Sequence, residues 1–495
     1  MGVGRSSLKR GWALAALLPL LAACATNTKV READLRVPAA FEARSSQQGQ
    51  VEIDRWWTLY GDPQLEQLVE EALANSFDIE DALLRLEQAY YSRRAAVAAL
   101  LPQSSVTGSA AYGGTEILNG GGATTPDPTL PPVPTLSTGA ATTLSATFNV
   151  SWEVDLFGRR RTTRRLAERE LQTATFTYEA TRTALAANVA QSLFEARGFA
   201  LQLADARETV RINTELERIA RIRVEVGLSP GSDLDQAVAN TRTAEAAVEQ
   251  LQAQLDTARR NLMLLVGRAT DPLASLPVAA EVGNPPPTPP VLPAELLQRR
   301  PDVRQAEIAL QAELQRLELR RLALYPTINL QPGVTLTQTI GSGNVTSGLW
   351  SLGAGLTVPI LERPRLLAEV GVQRAFAEQQ VVAFERAVQT AYAESENALV
   401  LLESDRRRVA VLSDAVARAE AAARKTRTAY SRGFSDLQTA LIAETTWRNL
   451  HSQLVQAEAI LMQRSVQLFR ALGGGWTPSA PAAGALTTIA QRGTS

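Results

Sequence analysis

Between Leu144 and Glu153 apolar and polar side chains alternate without a miss. Leu144, Ala146, Phe148, Val150 and Trp152 fall on one side, and Ser145, Thr147, Asn149, Ser151 and Glu153 on the other. The alternation predicts a strand over about 143–154 with one greasy and one wet face. After Asp155-Leu156-Phe157-Gly158 the pattern changes to Ala, Leu, Arg, Glu and Gln, with no proline until Pro230. It predicts one helix of roughly 68 residues, about 100 Å at 1.5 Å per residue. A helix that long has no compact core of its own and belongs in something larger.

Upstream, 24–63 reads as an extended, polar leader. Leu65, Leu68, Val69, Ala72, Leu73, Ile79, Leu83, Leu86 and Tyr90 are then apolar at helical spacing, predicting one helix to Leu101 that Pro102 ends. A weaker strand over about 103–113 carries Val106, Ala110 and Tyr112 on alternate positions, and a Gly/Thr/Pro-rich loop over 120–139 leads to the strand described above. The long helix breaks at Val226-Gly227-Leu228-Ser229-Pro230-Gly231, the tip turn being 227–232. Ser232 or Asp233 is placed to cap a return helix to about Val266. A turn that short makes the two helices antiparallel.

After a stiff proline-rich linker, 277–293, the plan repeats. A helix from Ala294 ends at Tyr325-Pro326, and alternating strands follow over about 327–340 and 349–359. A second proline-free helix, Arg365 to Arg432, turns at 433–436 and returns to about Leu472. The structural repeats are 64–276 and 294–472. The tail, 473–495, is rich in Gly, Ala, Pro and Thr and is expected to be disordered. The fold class expected is mixed α and β, an internally duplicated helix-strand-strand-helix-helix protomer. Four two-faced strands have free edges and too little curvature to enclose anything. Three copies supply twelve strands, which predicts a cyclic homotrimer with a 12-stranded β-barrel and a long helical barrel.

Composition narrows the function. A chain of 495 residues with net charge −1 suits neither a nucleic-acid binder nor a polytopic helical membrane protein. His451 is the only histidine and Cys24 the only cysteine, which removes zinc clusters, Cys/His and Ser/His/Asp nucleophiles and disulfide frameworks. No catalytic residue, cofactor or metal is expected. Arg5, Lys9 and Arg10 precede an apolar run from Trp12 to Leu21, too short to span a bilayer, so 1–23 reads as a secretion signal. Leu21-Ala22-Ala23-Cys24 resembles a bacterial lipobox that leaves Cys24 acylated; the alternative is an unmodified, buried cysteine. Ala25 in place of aspartate resembles lipoproteins sorted to the outer membrane.

The ordered motifs carry a family resemblance. They are Trp56-Trp57 with Asp62-Pro63-Gln64-Leu65, Leu101-Pro102, Trp152-Glu153-Val154-Asp155-Leu156-Phe157-Gly158-Arg159, and Asp233-Leu234 with Gln236-Ala237. Leu296-Leu297-Gln298-Arg299-Arg300-Pro301-Asp302-Val303, Tyr325-Pro326, Val358-Pro359-Ile360 and Ala471-Leu472-Gly473-Gly474-Gly475-Trp476 complete the set. Together they resemble the outer-membrane factors of the TolC/OprM-like efflux protein family, in the lipoprotein branch serving resistance-nodulation-division (RND) pumps. The resemblance implies a trimeric β-barrel continuous with a helical tunnel. It implies a passive exit duct for drugs or other small substrates, docked to a periplasmic adaptor and an inner-membrane RND transporter. It also places adaptor docking at the two tips, Val226, Gly227, Leu228, Ser229 and Arg432, Gly433, Phe434, Ser435. The alternative for Leu228 and Phe434 is that each staples its own hairpin.

Two departures stand out. Where relatives read Asp-Ala-Gln-Arg near the pore's narrowing, this chain has Ile442-Ala443-Glu444-Thr445. The candidate constriction therefore passes to Ile442, as a hydrophobic ring, or to Glu444. After Pro359-Ile360 the chain reads Leu361-Glu362-Arg363-Pro364 in place of an aromatic and a glycine-rich turn, implying a stiffer corner.

Other residues keep two readings. The Trp56-Trp57 pair is either a membrane belt or, as its place before a helix favours, packing in an equatorial region; Trp152 and Trp350 are the better belt candidates. Arg159-Arg160-Arg161 is either a solvated helix start or a contact with lipid phosphates. Glu153 and Asp155 are either paired carboxylates or lumen-facing strand positions. His451 is a solvated or packing histidine. Two other functions compete with the efflux duct: a pore-free coiled-coil lipoprotein scaffold in the periplasm, and an outer-membrane duct for protein secretion.

Overall fold

The computed structural model describes residues 29–43, 49, 52–114, 140–341, 344–478 and 482–492. Cys24, the expected secretion signal over 1–23 and the expected 120–139 loop lie outside these residues. The helices, in chain order, are α1 (Pro63–Asn75), α2 (Phe77–Ala98), α3 (Arg159–Glu225), α4 (Gly231–Leu265), α5 (Leu296–Arg299), α6 (Pro301–Leu322), α7 (Arg363–Ser431), α8 (Leu437–Ala471) and α9 (Ala483–Arg492). The strands are β1 (Gln103–Gly114), β2 (Ala140–Val154), β3 (Thr327–Ile340) and β4 (Val345–Thr357). The duplication is exact in its punctuation marks: helices of 67 and 69 residues each return through one of 35. A left-handed glycine follows every one of the four, namely Gly227, Gly267, Gly433 and Gly473.

The chain divides into two compact units. One comprises the sheet with the helix ends that adjoin it, in 91–169 and 311–379, together with the described residues 29–31. Its four strands pair antiparallel in the order β1-β2-β3-β4, so two hairpins far apart in sequence join through β2 and β3. The register aligns the apolar positions: Val106 faces Phe148, Phe148 faces Val334 and Val334 faces Trp350, a greasy row across the whole sheet. The opposite face carries the row Ser109, Ser145, Thr337 and Ser347, where the hydroxyls of Ser109 and Ser145 lie 2.8 Å apart. Two-sidedness predicted from β2 therefore extends to all four strands. The apolar row is solvent-exposed in the single chain, and β1 and β4 leave both edges of the sheet open.

At the strand-to-helix corner, Asp155 accepts hydrogen bonds from the backbone N–H of Gly158 (2.8 Å) and Arg160 (3.1 Å), opening α3 in the manner of a cap. Glu153 instead pairs with Arg159 at 3.3 Å. The two carboxylates are thus separately engaged and are not a catalytic pair. Arg159 also donates to the Leu322 carbonyl, and Arg160 lies over the Trp152 ring. In the second repeat, Pro364 is accommodated inside the first turn of α7, where a missing N–H costs nothing.

The other unit holds 32–90, 170–310 and 380–495. Its core centres on Trp56, fully buried and stacked on Phe469 at 5.8 Å, with Trp57 and Tyr60 edge-on to Trp56. The tandem tryptophans are packing residues. Asp62 caps α1 through the N–H of Gln64 and Leu65 and pairs with Arg197 of α3. The leader lies along α7: Asp34 and Ala43 donate their N–H to Glu385 and Glu396, and Phe41 stacks on Tyr392.

Three expectations are corrected. The predicted helix from Leu65 to Leu101 is two, because Ser76 adopts an extended backbone and its hydroxyl accepts from Asp78 N–H. The predicted helix from Ala294 is broken at Arg300, which Pro301 forces out of the helical region. The tail is ordered over its described residues. Gly475 N–H donates to the Ile53 carbonyl, Trp476 is buried and donates to the Arg299 carbonyl, and α9 buries Ile489 in a cluster with Leu86 and Leu171. Gly474 makes this possible, since a Cβ there would stand 2.7 Å from the Ile53 carbonyl oxygen.

Candidate functional site

Two helical turns in the second unit form the candidate site, and both are built alike. Where α3 ends, Gly227 adopts φ 73°, its N–H bonds to the Val224 carbonyl and that of Leu228 to the Arg223 carbonyl. Where α7 ends, Gly433 adopts φ 81°, its N–H bonds to the Tyr430 carbonyl and that of Phe434 to the Ala429 carbonyl. Each is a Schellman cap, which needs the left-handed conformation that glycine adopts most readily. Only the second return helix has a side-chain cap, Asp436 accepting from Thr439 N–H at 2.7 Å. At the first, Pro230 occupies the cap position, so the expected role of Ser232 or Asp233 is not found.

The residue after the left-handed glycine ordinarily folds back onto its own helix. Here Leu228 is 70% exposed and Phe434 84% exposed, and Val226 is exposed as well. Neither Leu228 nor Phe434 is buried as a staple would be. Behind the turns the two hairpins share a small core of Ile212, Leu216 and Ala220 (α3), Ala237 (α4), Tyr430 (α7), and Leu437 and Ala440 (α8). The apolar knobs therefore stand beside a packed core.

Above that core runs a chain of charges that sequence reading missed. Arg427 of α7 donates to Glu444 of α8 at 2.6 Å, and Glu444 accepts from Arg448 one turn on at 3.1 Å. Arg448 reaches Asp205 of α3 at 2.7 Å, and His451 Nδ1 approaches the same Asp205 oxygen at 3.0 Å. Burial alone would push the Asp205 carboxyl up, but the bond with His451 and the charges of His451 and Arg448 hold it below the usual range. His451 is raised, first by that hydrogen bond and against the effect of its burial. His451 thus packs against a carboxylate of the other hairpin, and pairs with it as an ion when protonated.

The two candidates for a constriction part company. Ile442 is 60% exposed. Glu444 is 4% exposed and held between two arginines, so it is not a carboxylate free to line a pore. Arg448, which holds Glu444 from one turn along the same helix, also reaches Asp205 more than two hundred positions away, and no local pattern announces that link.

A duplicated chain of very long helical hairpins with a sheet apolar on one face and hydroxyl-lined on the other defines a channel-forming membrane protein. Comparison makes the class specific. The model of the family described as outer membrane efflux protein matches residues 68–268 and 292–474, and the chain belongs to that family. It is 28% identical over 466 residues to the pyoverdine export outer membrane protein OpmQ of Pseudomonas aeruginosa, covering 92% of this chain and 95% of that protein. It is 29% identical over 430 residues to the cation efflux system protein CusC of Escherichia coli, covering 85% and 88%. The solved structure of the outer-membrane channel OprN superposes with a TM-score of 0.77 at 25% identity, covering 91% and 99%. The chain is an outer-membrane efflux channel, of a family of channel proteins rather than enzymes, and not a pore-free scaffold.

Proposed function

We propose that this chain is the homotrimeric exit duct of a tripartite efflux system, passing small toxic compounds outward from an inner-membrane RND transporter and a periplasmic adaptor. The observation that carries the trimer is the open sheet. An even number of strands runs from edge to edge, so β4 of one copy meets β1 of the next antiparallel, and three copies give twelve strands with no free edge. The greasy row then faces lipid and the hydroxyl row the lumen. Strands of 12 to 15 residues are long enough to span the membrane when tilted.

The exposed Leu228 and Phe434, on caps that leave them unpacked, support docking of an adaptor at the two tips formed by 226–229 and 432–435. Ile442 is the residue for a hydrophobic narrowing near the same end. Cys24 following Leu21-Ala22-Ala23 supports an acyl anchor in the periplasmic leaflet. Relatives almost equally distant from this chain are named for pyoverdine export and for cation efflux. That spread supports cargo choice by the pump rather than the duct.

Planar-bilayer recording tests the duct. Purified protein conducts, and more so when Asp205→Ala or Arg448→Ala loosens the hairpins. Absence of conductance in every variant overturns the reading.

A further inference from the structure

The end of the sheet at which β1 and β3 begin and β2 and β4 end carries two exposed layers. Nearest the strands are apolar corner residues from both repeats: Leu101 before β1, Leu156 and Phe157 after β2, and Ile360 and Leu361 after β4, the last 94% exposed. Next along α3 come Arg161, Arg164 and Arg165, all exposed and spaced by three and four residues on one face. Their neighbours are engaged elsewhere: Arg159 pairs with Glu153, Arg160 covers Trp152, and Glu168 takes Arg93 of α2. No acidic group among the described residues pairs with Arg161, Arg164 or Arg165. All these residues belong to the same unit.

From these observations we propose that Arg161, Arg164 and Arg165 form a binding collar for anionic glycerophospholipids of the periplasmic leaflet. The corner residues enter the acyl region and the three guanidiniums hold headgroup phosphates. Charge complementarity and continuity with the greasy sheet face single out this occupant. An apolar band that gives way within two helical turns to uncompensated arginine matches the order acyl chain, then phosphate, met on leaving a bilayer. Guanidinium binds phosphate oxygens in a bidentate fork, so arginine suits the task better than lysine. Only arginine occurs among the basic residues of 159–169.

The inference rests on the sheet being membrane-embedded, and the experiment separates the two. The full-length protein and an R161Q/R164Q/R165Q variant are purified in detergent and titrated with phosphatidylglycerol, phosphatidylcholine or lipopolysaccharide. Native mass spectrometry counts bound lipid, and each protein is also tested for bilayer conductance. The wild type prefers phosphatidylglycerol. At about fivefold per arginine, the triple variant loses roughly a hundredfold in affinity at low salt while still conducting. An R161K/R164K/R165K variant recovers part of the loss. Equal phosphatidylglycerol binding by conducting wild type and glutamine variant overturns the collar and leaves the channel standing. Preference for lipopolysaccharide also overturns it. A wild type that binds lipid nowhere and never conducts overturns the membrane reading beneath it.

Discussion

Arg448 on α8 donates to Asp205 on α3 across 2.7 Å, so the return helix of the second hairpin is ionically tied to the long helix of the first. Both side chains are almost wholly buried. Removing one partner leaves the other with a single remaining ion, His451 for Asp205 and Glu444 for Arg448, so the cost stays below the about 3–5 kcal/mol of a fully orphaned buried charge. Arg448→Ala or Asp205→Ala is therefore expected to raise trypsin cleavage within the hairpins sharply. The double change to leucine recovers much of the protection, because burying two apolar groups removes the penalty.

His451 makes that tie pH-dependent. Its raised pKa contributes stability that is fully present below the ordinary value of 6.5 and is lost as pH rises through the higher folded value. Asp205, depressed, contributes stability present above its ordinary value of 3.8 and lost on acidification through a lower one. Hairpin protection is thus greatest between these limits and declines above about pH 6.5. His451→Gln abolishes the alkaline decline and keeps the acid one. Proteolysis rates measured from about pH 3 to 9, with an acid-active protease at the low end, check this.

Gly227 and Gly433 have open space around a built Cβ, so substitution there meets backbone strain and no collision. Alanine at either is expected to cost about 1–2 kcal/mol, and asparagine less. Thermal loss of the helical circular dichroism signal would rank glycine, asparagine and alanine in that order.

Leu228→Ser and Phe434→Ser change exposed side chains, so stability should move by less than about 0.5 kcal/mol. Efflux should nevertheless fail in a strain lacking its own channel, with loss of cross-linking to the adaptor. Normal drug tolerance in cells carrying both changes would remove the tips from docking.

Much of this architecture could be read along the chain because its signals are local. Alternation from Leu144 to Trp152 defined a two-faced strand, and the proline-free runs ending at Gly227 and Gly433 defined the long helices and their turns. Local breaks were readable but weaker: Asn75-Ser76 with Asp78 is a cap signal inside an apolar period, and Pro301 constrains Arg300. The ordered tail was not legible, since a run of glycines reads as loose until Ile53 and Trp56 are known to press against it. Nor was the burial of Glu444, whose two arginines come from α7 and from one turn further along its own helix. A carboxylate beside a turn looks solvated in one dimension.

The open edges of β1 and β4 concentrate the account into a count of copies. Mass determination of the gently extracted particle, by light scattering with the detergent contribution subtracted, should give three chains per particle. A particle of one chain, stable and soluble without detergent, would contradict it.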